Sequence, residues 1–243
     1  MSEITYAAEQ LLAARDRKEP VTAPPVSSRE SAYAIQAEIA RRAGGFGNWK
    51  IAFFVPTDLI FAPILARTVV ESPAVFPPSS FNMIGIEGEM VVRLDAPVPA
   101  AGPVLSRENI LALICEVRVA IEVVDTRLLD LKAAPEIARI ADNMSSGALV
   151  LGEALADWRS ADLAAPGFAV LVNGEVAVEP GRNRIGDIIG AIGQLLDHCR
   201  GQGIDLPAGV RISTGSSTGV IFVSEGDHVA LVADGRTLAE ARF

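Results

Sequence analysis

The stretch Ile84-Gly85-Ile86-Glu87-Gly88-Glu89-Met90-Val91-Val92 reads as a strand that carries two carboxylates on one face. Side chains alternate along a strand. Ile86, Met90 and Val92 therefore share one face, with Gly88 between them, and Glu87 and Glu89 share the other, about 6–7 Å apart. At an effective dielectric of about 20 such a pair repels by roughly 2–3 kcal/mol. On an exposed edge, water would screen the repulsion. On an enclosed face a positive charge must lie between the carboxylates, and a hard divalent cation with oxygen ligands is the natural candidate.

A third acid stands in Ala120-Ile121-Glu122-Val123-Val124-Asp125-Thr126-Arg127. Its four apolar neighbours place Glu122 in a partly buried space, where a lone carboxylate needs a partner. Arg127 or Arg118 could pair with it, or it could complete a three-carboxylate site with Glu87 and Glu89. Three carboxylates without a nearby histidine favour Mg²⁺ or Mn²⁺ over Zn²⁺. His198 and His228 come late and lack metal-ligand spacing. Of 21 Lys and Arg residues only Lys18, Lys50 and Lys132 are lysines. Lys50 lies in the apolar run Trp49-Lys50-Ile51-Ala52-Phe53-Phe54, either snorkelling from a strand end or serving a site.

Outward from these segments, the pattern predicts an α+β chain. Helical spacing covers residues 3–17 and 29–43, the second capped by Ser28 and ended by Gly44-Gly45. Residues 1–45 thus form a helical N-terminal region, and 46–243 a β-rich core that carries the metal site. Prolines at 56, 63, 73, 77 and 78 suggest an irregular region with short strands over 56–83. A helix over 107–116 precedes a strand over 117–124. Asn173-Gly174 turns a hairpin between Phe168–Val172 and Glu175–Val178. An amphipathic helix spans 187–199, and strands cover 210–213 and 228–233, with Asp234-Gly235 as a second turn. Few crossover helices link these strands, so the core is mostly antiparallel or mixed.

The 243 residues, half of them hydrophobic, can bury a full core. A net charge of −9 argues against nucleic-acid or anionic-membrane partners. No run reaches the roughly 18 apolar residues of a membrane span, and the polar N-terminus is not a secretory signal, so a cytoplasmic location is expected. Cys115 and Cys199 read as buried free thiols. No nucleophile elbow, phosphate loop or dinucleotide fingerprint occurs, which leaves serine-hydrolase, kinase and dehydrogenase readings without support. Asp142-Asn143-Met144-Ser145-Ser146-Gly147 and Ser213-Thr214-Gly215-Ser216-Ser217-Thr218-Gly219 are turns or carboxylate-binding loops.

Tyr33-Ala34-Ile35-Gln36, Trp49-Lys50-Ile51, Glu87-x-Glu89, Glu122 to Arg127, Asp142-Asn143-x-Ser145-Ser146-Gly147, Asn173-Gly174 and Thr214-Gly215-Ser216 follow one another along the chain. In that order they resemble the 2-keto-4-pentenoate hydratase and 4-oxalocrotonate decarboxylase group of the fumarylacetoacetate hydrolase superfamily, over about residues 5–243. The resemblance implies a mixed β-roll core, like the C-terminal domain of fumarylacetoacetase, with an N-terminal helical region. It implies Mg²⁺ or Mn²⁺ on Glu87, Glu89 and Glu122, with Lys50 as the catalytic lysine. Ser216 then faces the substrate carboxylate, and Ser145 and Ser146 fall in a stretch that lines the pocket less directly, with Ser146 as the substrate contact. The implied partner is a small 2-oxo acid, and the implied assembly a homo-oligomer.

The implied activity is a hydratase that adds water to a 2-hydroxy-2,4-dienoate through an enolate, giving a 4-hydroxy-2-oxo acid. A 4-oxalocrotonate-type decarboxylase and a catalytically silent metal-binding relative are the alternatives. The family's K-I-G-L-T-S becomes Lys50-Ile51-Ala52-Phe53-Phe54-Val55, which replaces a small polar edge by bulky apolar residues. The superfamily's hydrolase branch uses a histidine–glutamate dyad near its N-terminus, whereas His198 is the first histidine here, which counts against carbon–carbon hydrolysis.

Overall fold

The computed structural model describes residues 2–55 and 57–243, so Pro56 lies outside the described residues. Thirteen strands are present: β1 Phe46–Phe53, β2 Leu59–Leu65, β3 Val69–Glu71, β4 Ala74–Val75, β5 Gly85–Leu94, β6 Ile114–Val124, β7 Ser146–Ala154, β8 Ala169–Val172, β9 Glu175–Val178, β10 Arg211–Ser216, β11 Ile221–Phe222, β12 His228–Ala233 and β13 Arg236–Arg242. The helices are α1 Glu3–Arg17, α2 Arg29–Arg42, α3 Arg107–Leu113, α4 Glu136–Ala141 and α5 Ile188–Gly201. One curled sheet runs β2-β1-β10-β5-β6-β7-β3, with β11 also paired to β5, and the other runs β4-β13-β12-β8-β9. Parallel pairing occurs at β1–β10, β3–β7 and β4–β13, so both sheets are mixed.

The alternation in β5 determines how the sheets stack. Ile86, Met90 and Val92 register with Val123, Val119 and Val117 of β6, and all six enter the main core together with Phe168, Leu231 and the apolar face of α5. Gly88 lies among them because a Cβ there would come within 2.5 Å of Phe168 Cε2. The opposite face is different. Ile64, Val91, Ala120, Leu149 and Leu151 form a separate small apolar cluster on the same face as Glu87, Glu89 and Glu122.

The N-terminal helices form as their caps dictate. Ser2 and Ser28 side chains accept from the Thr5 and Ser31 amides at 3.2 and 3.1 Å, satisfying donors a helix start leaves free. Ala7, Ala8, Leu11, Ala32, Ile35 and Ile39 then pack with Ile60, Leu65 and Ala138 of β2 and α4 in one apolar cluster.

Several boundaries differ from the sequence pattern. Within 56–83 the chain builds a regular seven-residue strand, β2, despite Pro63. That strand pairs with β1 only and lies at the end of the sheet, where a missing amide is tolerated. The helix expected to reach residue 116 stops at Leu113, because Ile114 and Val117 enter the main core as part of β6. This register leaves Cys115 half-buried rather than buried, whereas Cys199 is buried and burial pushes its thiol up to about 12. β10 continues to Ser216 rather than ending at 213.

A buried polar knot ties the motif segments together. Arg127, 1 % exposed, donates from Nη2 to the Asp142 carbonyl at 2.6 Å and from Nη1 to the Ser146 carbonyl at 3.0 Å. It also pairs through Nε with the buried Asp142 carboxylate, which accepts from Thr126 Oγ1 at 2.9 Å. From α1, Arg15 Nη2 reaches the same Ser146 carbonyl at 2.6 Å. Removing one partner of a buried ion pair strands the other charge, at a cost of about 3–5 kcal/mol. Arg127→Met is therefore expected to lose about that much stability in denaturant titration, and a loss below about 1 kcal/mol would show that the knot is dispensable.

Candidate active site

Four neighbouring strands bring the candidate residues to one place. Lys50 on β1 registers with Ser213 on β10, Ser213 with Val91 on β5, and Glu87 with Glu122 on β6. Residues directly opposite across a ladder share a face, so Lys50, Ser213, Glu89, Glu87 and Glu122 all project to the same side. Carboxylate oxygens of Glu87, Glu89 and Glu122 lie within 4.8 Å of one another. β5 is interior to its sheet, so the exposed-edge alternative for the Glu-x-Glu pair does not apply.

Glu122 is fully buried, and its partner is neither of the arginines weighed from sequence. Arg127 pairs with Asp142 and Arg118 with Glu71. Lys50, 4 % exposed and in the middle of a strand, donates from Nζ to Glu122 Oε1, which removes the snorkelling alternative. Glu89 accepts from the Ser213 hydroxyl. Glu122 Oε2 is buried without a hydrogen-bond partner among the described residues.

The electrostatics follow from three acids sharing one base. Burial, then repulsion from Glu122, raises Glu87 to about 7, although Lys50 and the Ser216 hydroxyl pull it down. Burial, then Glu122 and Glu87, push Glu89 well above the ordinary carboxylate range. Burial works against the charge on Lys50, but Glu122, Glu89 and Glu87 outweigh it and raise its pKa. Three ionised carboxylates against one ammonium leave two negative charges, which one divalent cation would neutralise. An all-oxygen donor set with an orphaned buried oxygen fits a hard cation such as Mg²⁺ or Mn²⁺.

Lys50, Glu87, Glu89 and Ser216 line a cavity of about 410 Å³. One side is the turn Asn143-Met144-Ser145, whose residues all take left-handed φ of 51°, 49° and 57°. Each costs about 1–3 kcal/mol, and surrounding bonds impose them. Asn143 Nδ2 donates to the Pro63 carbonyl at 2.8 Å, and the Ser145 carbonyl accepts from the Asp125 amide at 2.8 Å. Ser145 lines the cavity and Ser146 does not. Ser146 begins β7, with its carbonyl held by Arg15 and Arg127, so of the two serines expected near the pocket only Ser145 stands at its wall, and Ser146 is not the contact.

Asn183, unmarked in the sequence, is buried and donates from Nδ2 to the Thr214 and Gly215 carbonyls at 2.8 Å each. Gly215, at φ 87°, supplies the left-handed turn that breaks the β10–β5 ladder between Ser213 and Ser216. That break carries Ser216 to the cavity wall.

A carboxylate cluster and a buried lysine beneath a curled mixed sheet define the class: a β-roll protein with an oxygen-ligand cation site. Comparison with known proteins places the chain within it. The Fumarylacetoacetate (FAA) hydrolase C-terminal family matches residues 37–242, and the chain belongs to that family. It is 28 % identical over 234 residues to 4-oxalocrotonate decarboxylase of Pseudomonas putida, covering 90 % of this chain and 87 % of that one. It is 30 % identical over 162 residues to 2-hydroxyhexa-2,4-dienoate hydratase of Comamonas testosteroni, covering 65 % and 59 %. The solved structure of 4-oxalocrotonate decarboxylase from Pseudomonas putida G7, complexed with magnesium and adipate, superposes with a TM-score of 0.88 at 25 % identity, covering 99 % and 97 %. The mixed β-roll core expected from the sequence is therefore the observed one. Among the described residues no helix is long and apolar enough to cross a membrane.

Free cation at a hundredfold its dissociation constant stabilises a fold by about 2.7 kcal/mol, or about 5–10 °C in a chain of this size. Mg²⁺ or Mn²⁺ added to chelator-treated protein should raise the melting midpoint by that amount, and Glu89→Gln should abolish most of the rise. Identical midpoints with and without excess cation would remove the metal site.

Proposed function

We propose that the chain is a divalent-metal-dependent lyase acting on a small unsaturated 2-oxo acid, and that it releases CO₂ in the manner of a 4-oxalocrotonate decarboxylase. Glu87, Glu89 and Glu122 would hold Mg²⁺ or Mn²⁺, which as a Lewis acid stabilises negative charge developing on the 2-oxo oxygen. Lys50 keeps its proton because three carboxylates face it, and it holds that proton at Nζ beside the cavity. Ser216 is placed to donate to the carboxylate next to the oxo group, and Ser145, rather than Ser146, is the hydroxyl available from the neighbouring turn.

One observation favours decarboxylation over hydration. Beyond the acidic end, the wall is made of Phe53, Phe54, Val124, Leu131, Val220 and Phe222, with arginines as its charged groups. Adding water at the far end of a conjugated acid calls for a base there. Among the described lining residues, no carboxylate, histidine or cysteine stands outside the Glu87–Glu89 end. Decarboxylation needs no such base. In a 2-oxo-3-enedioate the bond to the far carboxylate breaks, and its electron pair moves through the double bond to the oxo oxygen. CO₂ then leaves a dienolate that takes up one proton. The apolar part of the wall shields the dienolate left behind from bulk water. The two decarboxylase comparisons, which cover most of both chains, support this reading over the hydratase expected from sequence. The hydratase keeps one support, the shorter match at 30 % identity.

With Mg²⁺ present, 2-oxohex-3-enedioate is expected to yield stoichiometric CO₂. Hydration of 2-hydroxypenta-2,4-dienoate without CO₂ release from the diacid would reverse the assignment. Lys50→Met should lower kcat by about 10²-fold, the scale of losing an acid–base group, with Mg²⁺ binding nearly intact. An unchanged kcat would leave Lys50 with the Glu122 pairing alone.

We also place the chain in a homo-oligomer. Its mean hydropathy is +0.34, and large apolar side chains such as Val75, Val104 and Leu129 are more than 60 % exposed. Light scattering should give a mass of at least twice 25.5 kDa, and a monomer mass at micromolar concentration would oppose this.

A further inference from the structure

The cavity has a second charged feature besides the acidic cluster. Arg139 from α4, and Arg182 and Arg184 from the segment between β9 and α5, all line it. Arg182 is committed elsewhere, with Nη1 2.7 Å from Asp162. Arg139 and Arg184 form no ion pair among the described residues, and Arg139 Nε is buried with no hydrogen-bond partner. Each guanidinium instead lies over an aromatic ring: Arg139 is 4.4 Å from the centroid of Phe54 and Arg184 is 5.4 Å from that of Phe53. These are the two phenylalanines that stand in the Leu-Thr positions of the K-I-G-L-T-S motif.

An aromatic face attracts a guanidinium and fixes its plane, but it does not accept the in-plane N–H bonds. A guanidinium N–H without an acceptor is costly, and an anion in the cavity would supply acceptors for the half-buried Arg139 and the exposed Arg184. The planar fork of an arginine matches a carboxylate through two parallel hydrogen bonds. The 2-oxo carboxylate takes the acidic end through the cation, which leaves the arginine-bearing wall as the place for a second carboxylate.

We infer that Arg139, held flat on Phe54 and assisted by Arg184 on Phe53, is the group that reads a second carboxylate on the substrate. It thereby selects 2-oxo dicarboxylic acids over 2-oxo monocarboxylic acids. This rests on the reading of the cavity as a 2-oxo acid site, but not on which reaction occurs there. The Phe53-Phe54 change then has a physical consequence: it builds the aromatic platforms that orient two cations.

Two saturated probes differ only in the group at issue: 2-oxoadipate and 2-oxohexanoate, titrated calorimetrically into the full chain with Mg²⁺. The wild-type chain should bind the diacid at least about tenfold more tightly, the effect of one charge-assisted hydrogen-bonded contact. Arg139→Met keeps much of the stem that packs on Phe54 and should erase the preference, leaving 2-oxohexanoate affinity within about twofold. Arg139→Lys, which keeps the charge but not the fork, should retain part of it, and Phe54→Leu should weaken it by loosening the platform. Melting midpoints of the variants check that each is folded. Equal affinity for the two acids in the wild type, an undiminished preference in Arg139→Met, or an equal loss for both acids in that variant would each overturn the assignment. The two readings fail separately. Absence of CO₂ release with the diacid preference intact would sink the decarboxylase and leave Arg139 in place. CO₂ release without the preference would do the reverse.

Discussion

Three carboxylates and one lysine buried at a single point are the constraint on which the structure turns. In isolation, burying Glu89, Glu122 and Lys50 would each cost several kcal/mol. Together they offset one another only if their strands hold a fixed register. Lys50 must stand beside Ser213, and Glu87 opposite Glu122. A one-residue slip of β5 would send both glutamates into the main core. That register is held from the other face, where Ile86, Met90 and Val92 interlock with Val123, Val119 and Val117 and Phe168 closes over Gly88. Apolar packing on one side of the sheet thus positions charge on the other.

The Arg127–Asp142 knot does comparable work for the turn beside the site. Asp125, Thr126, Arg127 and Asp142 are buried, and they are occupied with each other, with the backbone of residues 142–146 and, through the Asp125 carboxylate, with the Asn82 and Met83 amides. None of them lines the carboxylate cavity. Their bonds impose the left-handed run at Asn143, Met144 and Ser145, which brings the Met144 carbonyl within 3.4 Å of Lys50 Nζ. The most polar motif in the chain is therefore scaffolding for a neighbouring wall, and Arg15 couples that scaffold to α1.

What the sequence made legible follows from the range of each signal. The period-2 pattern around Glu87 and Glu89 is local, and so is the apolar flanking of Glu122. Both survive in the structure because β5 and β6 are regular strands. Lys50 stood out because lysine is rare in the chain and its neighbours are apolar. Its pairing with Glu122 spans 72 residues, and no local pattern encodes it, which is why Arg118 and Arg127 looked equally eligible. Asn183 carries no flanking pattern, and its role appears only once the 214–215 carbonyls lie against it. The difference between Ser145 and Ser146 is a single residue at the start of β7, below the resolution of any periodicity. The end of α3 differs from the sequence pattern for a related reason. Ile114 suits a helix or a strand locally, and its burial beside Val117 selects the strand.

The segment after Lys50 shows how a departure from a family pattern acquires meaning only in three dimensions. At about 3.3 Å per residue, Phe53 lies about 10 Å along the chain from Lys50, close to the length of an extended six-carbon acid. One short strand end therefore supplies two kinds of lining to the cavity, an ammonium among carboxylates and aromatic faces carrying guanidiniums. Read along the sequence, Phe53-Phe54 only removes small polar side chains, which suggests a damaged site. In the fold the same residues lie under Arg184 and Arg139 and keep two cations at the wall without a carboxylate to quench them. A cavity that is acidic at one end, apolar along its side and cationic in its wall is polarised. On the reading proposed above, such a lining would suit a substrate with one chelating head and one anionic tail better than one that ends in a hydrocarbon.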